Sequence, residues 1–359
     1  RRVLFRLPKP TDSTALGNTY ISRDSDWVDF EATVSTSEDQ IAIAPGYLQK
    51  EWTEDGRRYF NYKMDSKILH FYAFNSAEYE VKRDTWNDVN LEIYYHKGHE
   101  YNLERMMKGL MASLEYNTEN FSPYQHRQIR IVEFPSGSFA QSFPNTIPFA
   151  GDAGFIAQVD ESDEGGIDYP YAITVHEVAH QWWAHQVIGA DVLGATMLSE
   201  SLAEYVSLKV LEKEKGKSQM RKFLKKALDD YLFGRTFERK REKPLMYNDG
   251  QGYIHYLKGS LVFYAMSDYI GEKKLNNALK RYVEKVKFQG PPYTTSIDMV
   301  NYIKEVTPDS LQYLITDMYE TITLYDNRIT DVSTKELENG KYQVDIEFQV
   351  SKYRNDEKG

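Results

Sequence analysis

A histidine pair four residues apart, His176 and His180 in the run HEVAHQWWAHQ, constrains this chain more than any other feature. A helix turns about 100° per residue, so positions i and i+4 lie about 40° apart on one face. Both imidazoles can therefore reach a single metal ion if the segment is helical. Glu177 stands between them, where a carboxylate can take a proton from water activated by that ion. His–Glu–x–x–His on a helix is a signature of zinc-dependent hydrolysis, so zinc, Zn2+, is the expected cofactor. The opposing reading, two histidines on a buried helix beside Trp182 and Trp183, needs no metal.

A two-histidine zinc site needs a further ligand and an open position. Downstream, in TMLSESLAEYVSLKVLEK, Leu198, Leu202, Tyr205, Val206 and Val210 recur at helical spacing. That helix carries Glu200 and Glu204 a turn apart, and a carboxylate facing the first helix completes a His/His/Glu set. Both acids also suit the first turn of a helix, where negative charge is favoured, so spacing alone does not choose between them. His185, five residues past His180, points about 140° away from it on helical geometry and reads as a structural residue.

HEVAHQWW followed by SESLAEY resembles the gluzincin zinc aminopeptidases of the membrane alanine aminopeptidase family, whose pattern is HExxHQW, a spacer and NEGFAxY. The resemblance implies a thermolysin-like catalytic domain with His176, His180 and Glu200 as ligands, Glu177 as general base, and Glu204 behind the ligands. The spacer is one residue longer here, which a loop around Gly189 to Gly194 absorbs. Tyr256-Leu257-Lys258-Gly259 resembles the family's Tyr-x-Lys-Gly, which implies that Tyr256 hydrogen-bonds the oxyanion. A phenol aimed at developing charge in a dry site is a good stabiliser. Without the resemblance, Tyr256 reads as one of 28 tyrosines packed in a core.

The family also carries Gly-x-Met-Glu-Asn, whose Glu holds the substrate's free amino group. Aligning Gly154-Phe155-Ile156 with the family's Gly-Leu-Ile puts Gly151 where that Glu belongs. Asp152 offers a carboxylate one residue later, on the opposite face of a strand. Gly151, Asp152 and Gly154 are therefore the candidate substrate-binding residues. Hydrolysis of a peptide substrate by an aminopeptidase is the first expectation. Cleavage within peptides, and a peptide-binding scaffold without turnover, are the alternatives.

The net charge of −10 argues against nucleic acid as a partner. With no cysteine, metal ligands must come from His, Asp and Glu. No run of about 18 apolar residues occurs, so membrane insertion by this segment is not expected. The chain opens on Arg1 and stops at Gly359 soon after a strand pattern begins, as expected of a piece of a longer protein. Some bacterial relatives of this type look like domains of permease-like membrane proteins, which implies an extracytoplasmic domain on a membrane-tethered parent.

The expected fold is α+β and multidomain. An N-terminal all-β domain spans 1–87, with Val28, Phe30, Ala32 and Val34 alternating, a run from Ile41 to Leu48, and a hairpin turn at Asp55-Gly56. The catalytic domain spans 88–325: strand Val89 to Tyr95, a helix through Met106, Leu110 and Leu114, strand Gln128 to Phe134, then mainly helices. Among these, Tyr256 opens one, and Thr307-Pro308 starts another through Met318. Asp160 to Asp168 reads as a flexible loop, and Arg235 to Lys243 as a solvated one. A further β domain starts in 326–359, where Asn339-Gly340 precedes alternating Val344, Ile346, Phe348 and Val350.

Overall fold

The computed structural model describes residues 7–355, apart from 23–25, 136, 138, 161, 164–165 and 240. Parts of the Asp160–Asp168 loop and of the Arg235–Lys243 run thus lie outside the described residues.

A four-stranded sheet carries the central unit. Thr146–Ala150, Gln128–Phe134 and Val89–His96 lie side by side in parallel, and Tyr79–Trp86 closes the edge antiparallel to Val89–His96. Parallel neighbours need a crossover. Helix α1, Leu103–Asn120, supplies it, and its Met106, Leu110 and Leu114 share one core with Leu91, Ile93, Ile129 and Ile131. Tyr79–Trp86, which lies ahead of the boundary expected at 87, is thus hydrogen-bonded into this sheet. Trp86 pairs with Val89 across a two-residue turn in which Asn87 takes φ 49°.

Ahead of this unit, Glu31–Ser37, Arg57–Lys63 and Tyr47–Glu54 form an antiparallel sheet around Phe30, Phe60, Tyr62 and Met64. Asp55 and Gly56 both take positive φ, 49° and 71°, the hairpin turn expected from the sequence. The run Ile41 to Leu48 is not one strand. It breaks between Ile43 and Tyr47, where Gly46 at φ 94° lies so close to Lys63 that a Cβ would stand 2.7 Å from its carbonyl carbon. The buried Arg130 of the central sheet donates to the Gly46 carbonyl and lies over the Tyr62 ring, tying the two sheets together.

The helical half follows: α2 (Tyr169–Ala179), α3 (Leu202–Lys215), α4 (Met220–Phe237), α5 (Gly259–Ile270), α6 (Glu272–Val286) and α7 (Ser296–Val306). The helix expected through Met318 is a chain of short turns between Asp309 and Glu320. Ile322–Glu336 and Tyr342–Asn355 then form a long antiparallel hairpin, so its strand begins four residues ahead of the expected 326. Buried Asp317 anchors this hairpin by accepting from Lys352 and Arg354 of its second strand. No helix among the described residues is long and apolar enough to cross a membrane.

Candidate active site

Helix α2 starts sharply and is held from behind. Asp168 accepts from the Tyr171 backbone N–H at 3.1 Å and from Arg105 at 2.7 Å, and Pro170 sits in the first turn, where its missing N–H costs nothing. Gly109 of α1 lets the helices touch, since a Cβ there would meet Thr174 Cγ2 at 3.0 Å. Ser113 Oγ donates to the Val175 carbonyl at 2.9 Å. His176 lies in the last turn of this helix. His180 lies one residue past its end but keeps helical dihedrals, and its N–H still reaches the His176 carbonyl at 3.3 Å. The i, i+4 relation survives, with the two Nε2 atoms 3.0 Å apart.

The third donor comes from a widened turn. Met197–Ser201 is wound with i→i+5 hydrogen bonds just ahead of α3, a local form often found at functional sites. It presents Glu200 Oε2 3.4 Å from His176 Nε2 and 3.3 Å from His180 Nε2. Ligand atoms about 2.0–2.2 Å from one tetrahedral centre stand about 3.3–3.6 Å from each other, so this triangle fits zinc. Glu200 Oε2 is buried and accepts no hydrogen bond, as an atom reserved for a cation would be. His180 Nδ1 lies 3.1 Å from the Trp183 carbonyl, which holds its hydrogen and leaves the Nε2 lone pair free. Glu204, on α3, stands behind His176 with Oε1 3.1 Å from Nδ1.

Charge follows the same plan. Burial pushes both imidazoles down, but the facing carboxylates, Glu204 foremost at His176 and Glu200 at His180, outweigh it and raise both. Burial likewise works against ionised Glu200, yet the two histidines hold it well below the ordinary carboxylate range. Glu177 differs: burial dominates and raises it, and its Oε2 has no hydrogen-bond partner. A carboxylate that binds protons more readily than usual suits a general base.

Tyr256 lies in a second widened turn, Tyr253–Lys258, that leads into α5. Its ring centroid is 6.1 Å from that of His176. Burial foremost, with Glu200 and Glu177 nearby, keeps the phenol protonated and able to donate. Gly259 lets this turn press on the Glu200 turn, because a Cβ there would stand 2.1 Å from Ser201 Oγ. Lys258 donates to Glu242 at 3.0 Å, and Arg235 to the same carboxylate at 2.6 Å. The Arg235–Lys243 run is thus not simply solvated: Glu242 within it is buried and braces the Tyr256 turn.

Two cavities border the donor triangle. One, of about 370 Å³, is lined by His176, Glu177, Glu204 and Tyr256 and by apolar Ile173, Leu208, Leu211 and Phe223, with Phe139 and Ala140 at its side. The other, of about 210 Å³, is lined by His180, Ser199 and Glu200 with Gln141, Ser142 and Tyr20. The segment reaching the site is therefore Phe139–Ser142, which pairs antiparallel with Thr146–Ala150 through Ala140 and Phe149. Gly151, Asp152 and Gly154 line neither cavity. A Cβ on Gly151 would meet the buried Glu133 Oε1 at 2.7 Å, one on Gly154 would meet the Phe149 ring, and Asp152 is exposed. Sequence reading missed Gln141 and Tyr20. Five residues of strand are too few for a periodic signal, and Tyr20 arrives from a distant segment by its N–H bond to the Gly189 carbonyl. His185 Nε2 donates to the Ser142 carbonyl at 3.0 Å and is not among the ligands.

Residues 101–319, more than half of the chain, match the Peptidase family M1 domain. The chain belongs to peptidase family M1. No curated protein matches it. Among solved structures, the M1 chain is similar in fold to an M1 zinc metallopeptidase from Deinococcus radiodurans, at 16% identity and TM-score 0.62 over 82% of this chain and 64% of that one. A mutant of that enzyme bound to a Tyr-Ser-Ala substrate matches equally, at 16% identity, TM-score 0.62 and the same coverage. The chain spans just under two thirds of the length of these structures.

Proposed function

We propose that this M1 chain hydrolyses peptide bonds as a zinc metallopeptidase, with His176, His180 and Glu200 holding the ion. The triangle of two Nε2 atoms and one Oε2, with edges of 3.0–3.4 Å beside an unpartnered Glu177 oxygen, carries this reading. When bound, zinc supplies Lewis acidity and makes water nucleophilic near neutral pH.

Glu177 takes the proton of the attacking water on Oε2 and returns it to the leaving amine nitrogen as the C–N bond breaks. Tyr256 donates its phenol hydrogen to the carbonyl oxygen as negative charge develops there. Glu204 fixes the His176 ring from behind. Ile173, Leu208, Leu211 and Phe223 exclude water and receive a bulky apolar side chain beside the scissile bond.

Family membership favours an aminopeptidase. A second reading, cleavage of peptides without a free amino terminus, is favoured by Gln141: the segment bordering the site offers an uncharged amide and no carboxylate. Zinc content and hydrolysis of leucine arylamide, free and N-acetylated, test both in wild type and Glu177→Gln. One zinc per chain with free-amine turnover, lost by about 10²–10⁴-fold in the mutant, supports the aminopeptidase. Turnover of acetylated substrate alone supports the second reading, and absence of zinc refutes both.

A further inference from the structure

A third cavity, of about 460 Å³, lies at the seam between the N-terminal sheets and the central unit and shares no lining residue with the two at the donor triangle. Its walls are aromatic and aliphatic: Trp27 and Phe288, edge to face at 5.8 Å, with Ile68, Leu69 and Pro144. This is the size and character of a small-molecule site, which is mostly apolar with few polar groups.

Most of those polar groups are already committed. Trp27 Nε1–H donates to the Gln289 carbonyl at 3.0 Å. Gln125 donates to the Gln181 carbonyl at 2.7 Å and accepts from Gln186 at 2.8 Å. His185 Nε2 is spent on Ser142. Lys67, at the rim, faces Asp29 at 3.5 Å, so the cavity offers no free cation among its described lining residues.

Two ring nitrogens are exceptions, Nδ1 of His185 and Nδ1 of His126, and of the two rings only that of His126 makes no hydrogen bond at either nitrogen among the described residues. His126 is 6% exposed, and its Nδ1 is sealed in without a partner. Nε2 is not sealed in this way, so on a ring that lines the cavity it is the nitrogen a ligand can reach. Burial foremost holds this ring neutral, down to about 3. Buried polar groups are rarely left unpaired. A neutral imidazole presents either a donor or an acceptor at Nε2, and a hydroxyl satisfies both.

We propose that the seam cavity is a second ligand site, which takes a small uncharged aromatic alcohol with its ring against Trp27 and Phe288 and its hydroxyl on His126. An anionic or cationic ligand would meet no compensating charge there.

Calorimetric titration of the whole chain with p-cresol, and with toluene as the isostere lacking the hydroxyl, tests this. One p-cresol should bind per chain, about fivefold to tenfold tighter than toluene, as one hydrogen bond provides. In ¹⁵N-histidine-labelled protein the His126 resonances should move on saturation. His126→Phe should make the two probes bind equally, and Ser66→Trp, a substitution at the exposed rim, should remove binding of both in a chain whose zinc content is unchanged. Failure of p-cresol to bind, equal affinity for the two probes in wild type, or binding unaffected by Ser66→Trp overturns the proposal.

Discussion

Gly259→Ala should destabilise the chain although it replaces a glycine with the best helix former. Gly259 has helical dihedrals, φ −58° and ψ −49°, so alanine on its own would gain about 1 kcal/mol from propensity. Space decides the other way. The new methyl would stand 2.1 Å from Ser201 Oγ and 2.6 Å from Ser201 Cβ. Rotating Ser201 relieves the first contact but breaks its 2.6 Å hydrogen bond to the His255 carbonyl, at about 1 kcal/mol. The second contact involves atoms fixed to both backbones. Carbon atoms rest about 3.5–4.0 Å apart, so the two turns must separate by about 1 Å, an overpacking that costs about 1–3 kcal/mol. The net loss is about 1–3 kcal/mol. Urea denaturation in chelator measures it without a contribution from bound metal. Because Ser201 adjoins Glu200, zinc affinity should fall as well. Ser201→Gly removes both offending atoms, so in that background Gly259→Ala should cost at least about 1 kcal/mol less. A single mutant as stable as wild type, or a double mutant with no recovery, would refute the contact between these turns.

Other outcomes follow from the same geometry. Glu204→Gln removes the carboxylate behind His176 and should weaken zinc binding by about 10–100-fold while leaving one ion per chain at saturation, read by competition with a chelator. Zinc binding should also weaken as pH falls, and from an unusually high pH, because His176 and His180 hold protons more tightly than ordinary histidines in the metal-free chain; an affinity independent of pH between about 6 and 8 would contradict this. Burial opposes ionised Asp317, but Lys352 and Arg354 outweigh it and lower its folded-state value. The stability it lends to the C-terminal hairpin is therefore fully present above the ordinary carboxylate range and lost as pH falls through that lowered value. Protection of the hairpin amides, taken relative to the intrinsic exchange rate at each pH, should fall in that acid window, and at neutral pH in Asp317→Asn.

The elements with a local signal were legible. The strands from Val89 and from Gln128, helix α1 and the Asp55-Gly56 turn follow from periodicity and turn chemistry, which act over a few residues. Local pattern was silent where a distant neighbour decided. The run from Ile41 to Leu48 breaks because Gly46 meets Lys63, and Tyr79–Trp86 joins the central sheet because Val89–His96 is its partner.

The site divides in the same way. His176, Glu177 and His180 were determined by the sequence itself, since helical geometry sets an i, i+4 pair on one face wherever the helix is placed. Which acid faces them was decided by tertiary structure. Glu200 and Glu204 are alike in pattern, and only the widened turn at Met197–Ser201, held against α5 through Gly259, turns Glu200 toward both Nε2 atoms and leaves Glu204 behind His176. Gln141 and Tyr20 reach the cleft through pairing with Thr146–Ala150 and with the loop at Gly189. Such contacts depend on how separate segments pack, and that information lies in no short stretch of the chain.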